Sequence, residues 1–327
     1  MKVMEIDETS RKGLDRTRWH KPLVSIIITH YNYSDHVVDA ILSLLDQSHV
    51  NWECVIVDDA SDQQHSRALT NIVEDLADDR ITVRLLGRNG GQVPAFFAGL
   101  ERTSGDFVCL LDPDDRYAPT FIEEALAAHL NLSVMCPILS TEQILITQQG
   151  IIGAGLRPDM HIARMRRFGK YLEVAEPEKP KLLYIPASVR GWHWTATSAL
   201  MFRRAALNYL KPHKQFPFRR CADGYLAQGS HALGGTLFLQ KGLVYRQLHN
   251  RNSWIDMKVY SSFQNKKRAS GEIWAGVAYL DALEAIEANG LPEAERRRMA
   301  ADNVSPKHGL QRVISRWRTS LKKRILS

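Results

Sequence analysis

The first half of the chain alternates between short apolar runs and amphipathic segments. Runs rich in β-branched residues cover 23–32, 52–61, 81–87 and 106–112, and such runs are typical of strands buried on both faces. Each run precedes a segment whose apolar residues have helical spacing: 37–45, 69–76, a stretch ending at Leu100, and 119–130. The alternation predicts an α/β fold with a mostly parallel sheet and helices on both faces.

Polar side chains gather where these predicted strands end. They are Thr29, Tyr31 and Asn32; Asp58 and Asp59; Arg88 and Asn89; and Asp112, Asp114 and Asp115. Ligands of open α/β sheets bind outside the carboxyl ends of the strands. These strand ends therefore predict one binding site along a single edge of the sheet.

The most concentrated chemistry is the D-P-D-D sequence of residues 112–115, directly after an apolar run. Carboxylates this close repel one another, and a divalent cation between them removes the conflict. Mg²⁺ or Mn²⁺ binds one or two carboxylates together with phosphate oxygens, and it stabilises charge on a departing diphosphate. The alternative is a solvated turn in which Asp112 caps the backbone. The position after a buried strand favours the metal interpretation.

A second acidic sequence, V-D-D-A-S at 57–61, ends the second predicted strand. Asp58 or Asp59 would accept hydrogen bonds there from a nucleobase N–H or from ribose hydroxyls. The alternative is a capping or turn role for either acid or for Ser61. Tyr31 offers a ring for stacking on a base, although a single tyrosine more commonly packs within a fold.

Composition narrows the class of protein and its partners. The chain has 327 residues and a net charge of +7, which favours anionic partners. It has no stretch of about 18 apolar residues, no signal-peptide core at its N-terminus and no C-x-x-C pair among its four cysteines. We therefore expect a cytoplasmic protein with reduced cysteines. Without a P-loop, an H-E-x-x-H motif or dinucleotide-fingerprint spacing, ATPases, zinc hydrolases and nicotinamide dehydrogenases are disfavoured.

The alternation fades beyond about residue 140. We divide the chain into an N-terminal arm (1–21), a first half (22–140), an irregular second half (141–255) and a C-terminal helical extension (256–327) with a helix over 266–290.

The end of this extension, 310–326, predicts a basic amphipathic helix. Leu310, Val313, Ile314, Trp317, Leu321 and Ile325 share one face, and arginines and lysines cover the remainder. Such a helix suits peripheral contact with an anionic membrane at its cytoplasmic face. The alternative is a helix docked on the protein itself. Nucleic acid is not an expected partner, because no aromatic-basic binding motif accompanies the helix.

Three stretches together resemble the family 2 glycosyltransferases, which have the GT-A fold. They are IIITHYN (26–32), VIVDDAS (55–61) and RNGGQVPAFFAGLERTSGDFVCLLDPDD (88–115). Members of the family move a sugar from a nucleotide diphosphate donor to an acceptor, usually with inversion and a divalent metal. The resemblance is close over 22–130 and looser to 255. It implies that 22–140 binds the nucleotide-sugar and 141–255 the acceptor.

The resemblance also implies roles for the strand-end residues. Thr29, Tyr31 and Asp59 would hold the base and ribose, with Asp58 beside them and Arg88 near the base; Asp112 and Asp114 would contact the donor, and Asp114 or Asp115 would bind Mn²⁺ or Mg²⁺. The chain departs from the family after Gly91, where Pro94-Ala95-Phe96-Phe97 stands in place of a common Ala-Arg-Asn.

Two stretches of the second half extend the resemblance. FRRCADGYLAQ (218–228) resembles the family's acidic motif, which implies Asp223 as the base that deprotonates the acceptor hydroxyl. YRQLHNRNSW (245–254) resembles the stretch that closes over the donor, which implies diphosphate or metal contacts for Arg246 and His249.

An aromatic cluster, Trp192, His193 and Trp194, precedes an apolar run in the second half. Aromatic rings pack on the C–H faces of sugars, so these residues either line the acceptor pocket or fill the core.

The expected function is an inverting, metal-dependent glycosyltransferase that uses a nucleotide-sugar, most naturally a UDP-sugar, and a glycan or lipid-linked acceptor. One alternative is a nucleotidyltransferase, although the glycine-rich basic loop that usually follows its first strand is missing. The other is a non-catalytic nucleotide-sugar- or glycan-binding module, which would be marked by loss of the base, whereas Asp223 is present.

Overall fold

The computed structural model describes residues 4–5, 21–130, 134–148, 150–154, 181–189, 192–214, 222–249, 251 and 268–290. Its strands are β1 (Met4–Glu5), β2 (Val24–His30), β3 (Trp52–Asp58), β4 (Ile81–Leu85), β5 (Phe107–Leu111), β6 (Asp115–Tyr117), β7 (Ile138–Thr147), β8 (Gly150–Ala154), β9 (Leu182–Ile185), β10 (Leu200–Arg203) and β11 (Thr236–Gln247). Its helices are α1 (Val37–Leu45), α2 (Gln63–Leu76), α3 (Gln92–Leu100), α4 (Phe121–His129), α5 (Arg204–Tyr209), α6 (Ala222–Gly234) and α7 (Arg268–Ala288), and a 3₁₀ turn at Thr197–Ala199 precedes β10.

The strands of the first half form the parallel part of a single sheet, in the order β4-β3-β2-β5. Every residue of β2 is buried, which explains its predominantly apolar sequence. β3 and β4 are added on one side of β2, and β5 is added on the other side. The order in which the chain adds strands to the sheet therefore reverses at β2. A crevice for ligands opens at such a reversal, outside the carboxyl ends of the strands. The predicted α/β fold is confirmed, with strands and helices close to the expected positions.

The second half continues the same sheet. β10 pairs antiparallel with β5, and β7, β11, β9 and β1 follow in that order. The expectation of an irregular region over 141–255 was wrong for these strands. β11 shows why: Gln240, Lys241 and Gly242 interrupt its apolar pattern, and the pairing with β7 shifts register there. A broken alternation of this kind hides a strand from sequence analysis.

Helix α3 packs very closely on the central strand. A Cβ atom at Gly99 would lie 2.7 Å from a methyl carbon of Ile27 and 3.0 Å from one of Val57. Only glycine allows this approach, because both neighbours are core side chains in buried strands. The close contact fixes α3 on the sheet, and the loop before α3 is thereby held at the carboxyl ends of the strands.

Several other expectations concern the ends of the chain and the cysteines. Cys54, Cys109 and Cys136 are buried free thiols, as expected, and Cys221 lies outside the described residues. Within the N-terminal arm, Met4–Glu5 pairs with β9. The predicted tail helix 310–326 also lies outside the described residues. Of the helices that the structure describes, none has the length and apolarity needed to cross a bilayer.

Candidate active site

The turns that follow β2 and β3 are locked together. Asn32 and Ala60 adopt left-handed backbone conformations, with φ of 58° and 57°. The Asn32 N–H donates to Ser61 Oγ (2.9 Å), and the Asp62 N–H donates to Asn32 Oδ1 (2.8 Å). A left-handed alanine costs about 1–2 kcal/mol, and its presence here shows that the surrounding contacts dictate the turn. The two strand ends therefore form one rigid edge.

Asp58 is buried and braces this edge. Its carboxylate accepts hydrogen bonds from the hydroxyls of Ser61 and Ser66 and from His30 Nδ1 (3.0 Å). His30 Nε2 accepts the Tyr33 N–H (3.2 Å), so Nδ1 carries the proton. Burial raises the pKa of Asp58, but these hydrogen bonds outweigh it and hold the pKa below its ordinary value. Asp58 therefore stays ionised and supports the turns around the predicted nucleobase-binding site.

Asp59 shapes the neighbouring loop. Its two carboxylate oxygens accept the backbone N–H groups of Gly90 (2.8 Å) and Gly91 (2.7 Å). Gly91 has a φ of 91°, which a residue with a side chain rarely adopts. Arg88 is exposed in the same loop. Asp59 thus sets the position of the segment that carries Arg88.

Thr29 and Tyr31, which are also predicted to bind the nucleobase, lie at the end of β2. Thr29 is buried next to the end of the strand, and Tyr31 follows the strand with 46% of its surface exposed. An exposed aromatic ring beside a buried polar strand end is suited to stacking on a nucleobase.

Ser198 holds the D-P-D-D turn from the second half of the chain. Its hydroxyl donates to Asp115 Oδ2 (2.6 Å) and accepts the Asp112 N–H (3.1 Å), and Ser198 itself is fully buried. The Gln247 N–H donates to the other Asp115 oxygen (3.2 Å), and Arg246 of β11 lies in register with Asp115 of β6. The turn is therefore built jointly by the parallel strands and by β11.

The acids of this turn carry more negative charge than their surroundings compensate. Burial, with the charges of Asp115, Asp114 and Asp223, raises the pKa of Asp112 well above its ordinary value. Burial and the charge of Asp114 raise the pKa of Asp115 to about 7, and the charge of Arg246 opposes both shifts. Hard carboxylate oxygens under mutual repulsion are a suitable donor set for a divalent cation.

The described residues contain no group of three or more His, Cys, Asp or Glu that would hold a metal by themselves. A Mg²⁺ or Mn²⁺ ion needs only one or two carboxylates when phosphate oxygens of a substrate supply further ligands. Asp114 and Asp115 fit that role.

Gln92 connects the D-P-D-D turn to α6, the helix that carries the predicted catalytic base Asp223. Its side-chain N–H donates to Asp112 Oδ1 (2.8 Å), and its carbonyl oxygen accepts the Ala222 N–H (3.4 Å) at the start of α6. Asp223 is the next residue of α6, and its charge acts on Asp112. The structure therefore places Asp223 within electrostatic reach of Asp112.

His249, two residues after the end of β11, contacts the same turn. Its Nε2 lies 2.9 Å from Asp114 Oδ2, and its ring stacks on His36 with a centroid distance of 4.6 Å. The structure thus brings Arg246 and His249 to the D-P-D-D turn.

The aromatic cluster divides between the core and the surface. Trp194 is 1% exposed, and its indole N–H donates to Thr236 Oγ1 (3.1 Å). Trp192 and His193 are partly exposed, and the Trp192 N–H donates to the Trp194 carbonyl (2.7 Å). Trp194 therefore lies in the core, whereas Trp192 and His193 keep part of their surface exposed.

Comparison with known proteins decides the family. The sequence profile of glycosyl transferase family 2 matches residues 25–144, which carry β2–β6 and the D-P-D-D turn. Residues 25–144 belong to glycosyl transferase family 2. This glycosyltransferase is 29% identical to an uncharacterized glycosyltransferase of Nostoc sp. over 76% of its own length and 71% of the relative. It is 39% identical to a putative teichuronic acid biosynthesis glycosyltransferase, TuaG, of Bacillus subtilis over 41% of its length, and it spans about half of that relative (51%).

Solved structures match the fold of this glycosyltransferase at low identity. S. aureus TarS 1–349 in complex with UDP-GlcNAc aligns with a TM-score of 0.51 and 16% identity, over 85% of this chain and 70% of TarS 1–349. The mannosyltransferase PcManGT of Pyrobaculum calidifontis, in complex with GDP-Man and Mn²⁺, aligns with a TM-score of 0.51 and 16% identity, over 92% of this chain and 83% of PcManGT. The fold is therefore GT-A, as the resemblance implied.

Three residues of the site escaped sequence analysis: His30, Gln92 and Ser198. His30 stands beside the quoted strand end, but its burial against Asp58 depends on a neighbouring strand. Ser198 lies 83 residues from Asp115 along the chain, so no local pattern connects them. Gln92 directly follows the glycine turn, which is the one local signal that draws attention to it.

Proposed function

We propose that the enzyme transfers a sugar from a nucleotide diphosphate donor, a UDP-sugar in the first instance, to a hydroxyl of a glycan or lipid-linked acceptor with inversion. The observation that supports the proposal is that Asp223 lies at the start of α6, where its charge acts on Asp112 and where Gln92 links Asp112 to the Ala222 N–H. Transfer with inversion needs a base near the donor site, because the acceptor hydroxyl loses its proton as it attacks the anomeric carbon from the side opposite the leaving diphosphate.

The strand ends of the first half receive the nucleotide in this proposal. Tyr31 and Thr29 contact the base, and Arg88 lies on the neighbouring loop. Asp59 holds that loop through two backbone N–H groups, and Asp58 holds the turns after β2 and β3.

The remaining residues act on the diphosphate and on the acceptor. Asp112 hydrogen-bonds the donor, and Arg246 offers a positive charge to the diphosphate. Asp223 accepts the proton of the acceptor hydroxyl. Trp192 and His193, which are partly exposed, border the acceptor side.

Asp114 and Asp115 would hold the divalent cation, Mn²⁺ or Mg²⁺. When bound, the cation neutralises negative charge on the departing diphosphate. Ser198 and the Gln247 N–H each donate to one oxygen of the Asp115 carboxylate, so its orientation is set by the protein. The Mn²⁺ in PcManGT supports this assignment by analogy of fold.

The biological setting is proposed from relatives. TuaG is described as a putative teichuronic acid biosynthesis glycosyltransferase, and ExoO of Rhizobium meliloti as a succinoglycan biosynthesis protein. A relative from Pectobacterium carotovorum is an undecaprenyl-phosphate 4-deoxy-4-formamido-L-arabinose transferase. We infer that this enzyme acts in the synthesis of a bacterial-type surface polysaccharide, on a glycan or lipid-linked acceptor.

Donor binding tests the proposal directly. We expect UDP with Mn²⁺ to raise the melting temperature by several degrees, because a ligand at about 100 times its Kd stabilises the folded state by about 2.7 kcal/mol. UDP with EDTA should raise it less, and inorganic phosphate with Mn²⁺ serves as the control. A rise in melting temperature with a nucleoside triphosphate, and no rise with UDP or GDP, would favour a nucleotidyltransferase.

We also propose that residues 310–326 bring the enzyme to an anionic membrane surface. Basic residues near such a surface contribute about 1 kcal/mol each, and the segment holds six of them along with Trp317. The full-length protein is expected to co-sediment with anionic vesicles at low salt and to dissociate at high salt. A protein ending near residue 305 should still bind UDP and should no longer co-sediment with the vesicles. Vesicle binding that survives this truncation would exclude the tail.

A further inference from the structure

The side-chain amide of Gln92 spans the two halves of the site in a defined orientation. The Ala222 N–H lies 3.4 Å from Gln92 Oε1, and a backbone N–H can only donate, so the amide oxygen faces α6. The amide NH₂ group then faces the D-P-D-D turn, where it donates to Asp112 Oδ1 at 2.8 Å. Glutamine suits this place, because its amide offers a donor and an acceptor without adding a charge to the acids.

The first turn of α6 obtains hydrogen-bond acceptors from side chains. The first four N–H groups of a helix have no acceptor within the helix backbone. In α6, the Ala222 N–H donates to Gln92, which lies 130 residues away along the chain, and the Gly224 N–H donates to Asp223 Oδ1 (2.8 Å). Gln92 therefore acts as a helix cap supplied by another element. The contact ties the first residue of α6, and with it the neighbouring Asp223, to α3.

The backbone of Gln92 is held from both sides. Before it, the Asp59 carboxylate accepts the N–H groups of Gly90 and Gly91, which fixes the loop that leads into α3. After it, α3 packs so closely on the sheet that a Cβ atom at Gly99 would lie 2.7 Å from a side chain of β2. Because this backbone is fixed, the amide of Gln92 can fix the position of the groups that it bonds.

We propose that Gln92 is a positioning residue that keeps Asp112 and Asp223 in a set relation to each other. Its NH₂ group orients the Asp112 carboxylate, and its oxygen holds the start of α6, which carries Asp223. The catalytic half of this inference rests on the proposed function, in which Asp112 contacts the donor and Asp223 takes the acceptor proton. The contact between α3 and α6 belongs to the protein alone.

The same glutamine connects the nucleotide end of the site to the acceptor end. The loop that Asp59 binds leads directly into Gln92, and Asp59 is predicted to hold the base and ribose of the donor. The path from Asp59 to Asp223 therefore consists of one short loop, one side chain and the first turn of α6. A change at Gln92 breaks this path while every acid of the site remains in the chain.

Hydrogen–deuterium exchange of the full-length protein, without ligand, measures the contact between α3 and α6. Gln92→Met keeps the length of the side chain and removes both hydrogen-bonding groups. We expect amide exchange over 222–228 to become about 2- to 30-fold faster, which corresponds to the loss of a helix-capping side chain. Unchanged exchange over these residues would overturn the proposal, whatever reaction the enzyme catalyses.

Gln47→Met is the matched control, because Gln47 makes the same kind of link in another part of the fold. Its oxygen accepts the Ile122 N–H (3.1 Å) in the first turn of α4, and its NH₂ group donates to the Ala118 carbonyl (2.8 Å). This variant should speed exchange at the start of α4 and leave 222–228 unchanged. Faster exchange over 222–228 in Gln47→Met as well would mean that α6 responds to any loss of stability, and it would remove the inference.

Turnover tests the catalytic half, with UDP-GlcNAc and GDP-mannose as probes, Mn²⁺ present and water as the acceptor. We expect Gln92→Met to lower kcat at least about 10-fold, since displacing a catalytic group by about 1 Å can cost about 100-fold. UDP binding should stay close to that of the wild-type protein, and Gln47→Met should keep the wild-type kcat. A wild-type kcat in Gln92→Met, together with faster exchange in α6, would show that the contact has no catalytic role.

Gln92→Glu separates the two ends of the amide. It keeps an oxygen for the Ala222 N–H, so exchange over 222–228 should remain as in the wild-type protein. It also places a second carboxylate against Asp112 where the wild-type protein has a donor, so kcat should fall at least as far as in Gln92→Met. A wild-type kcat in Gln92→Glu would overturn the role at Asp112. If the wild-type protein cleaves neither nucleotide-sugar, the proposed function fails, while the exchange over 222–228 still decides whether Gln92 holds α6.

Discussion

Replacing Asp223 by asparagine is expected to lower kcat by at least about 10²-fold while donor affinity changes little. Asparagine keeps the size of the side chain and can still accept the Gly224 N–H, which Asp223 Oδ1 receives at 2.8 Å. It cannot take a proton from an acceptor hydroxyl at neutral pH, so only the chemical step suffers. The measurement is steady-state kinetics alongside UDP binding to the same preparation.

Asp79→Asn is the matched control for this substitution, since Asp79 is exposed in the turn before β4. It should turn over at the wild-type rate. A kcat for Asp223→Asn within a few-fold of wild type would eliminate Asp223 as the base. A large loss of UDP affinity instead would assign Asp223 to donor binding.

Replacing Asp115 by alanine or asparagine is expected to abolish the response to Mn²⁺ and to lower turnover by about 10²-fold or more, because the cation contributes several kcal/mol to charge stabilisation. The fold should tolerate Asp115→Asn well. The carboxylate is buried, and burial together with repulsion from Asp114 raises its pKa to about 7, so the charged form is disfavoured without a cation. We therefore expect a melting temperature at or above that of the wild-type protein in EDTA.

Ser198→Ala serves as a companion variant, because it removes the hydroxyl that holds Asp115 but keeps the acid. It should weaken Mn²⁺ binding without abolishing its effect. Turnover of the wild-type enzyme that is unchanged by EDTA, with donor binding also unchanged, would show that the metal assignment is wrong.

The parallel half of the fold was predictable because its signals are local. A run rich in β-branched residues such as 23–32 is typical of a strand buried on both faces, and the spacing of Val37, Ile41 and Leu44 predicts the helix that follows it. The second half gave no such signal. β11 contains Gln240, Lys241 and Gly242 in its middle, and it is stabilised by partners far away along the chain.

The candidate site shows the same division. The acids could be found from the sequence, because each stands at the end of an apolar run. The hydrogen-bond donors to those acids could not be predicted, because they are brought there by tertiary packing. Asp59 receives the N–H groups of Gly90 and Gly91, and Ser198 fixes Asp115 from 83 residues away. Trp194 likewise resembles a sugar-binding ring in the sequence but lies in the core.

The most direct test of the central claim is the identity of the products formed from a nucleotide-sugar in the presence of Mn²⁺. Water can serve as the acceptor in this experiment. NMR spectroscopy of the reaction then reports both the phosphorus-containing products and the anomeric configuration of the released sugar. A metal-dependent glycosyltransferase with Asp223 as base predicts a nucleoside diphosphate and a first-formed sugar of inverted configuration, both lost in Asp223→Asn. Release of pyrophosphate from a nucleoside triphosphate and a sugar phosphate, with no cleavage of any nucleotide-sugar, would contradict it.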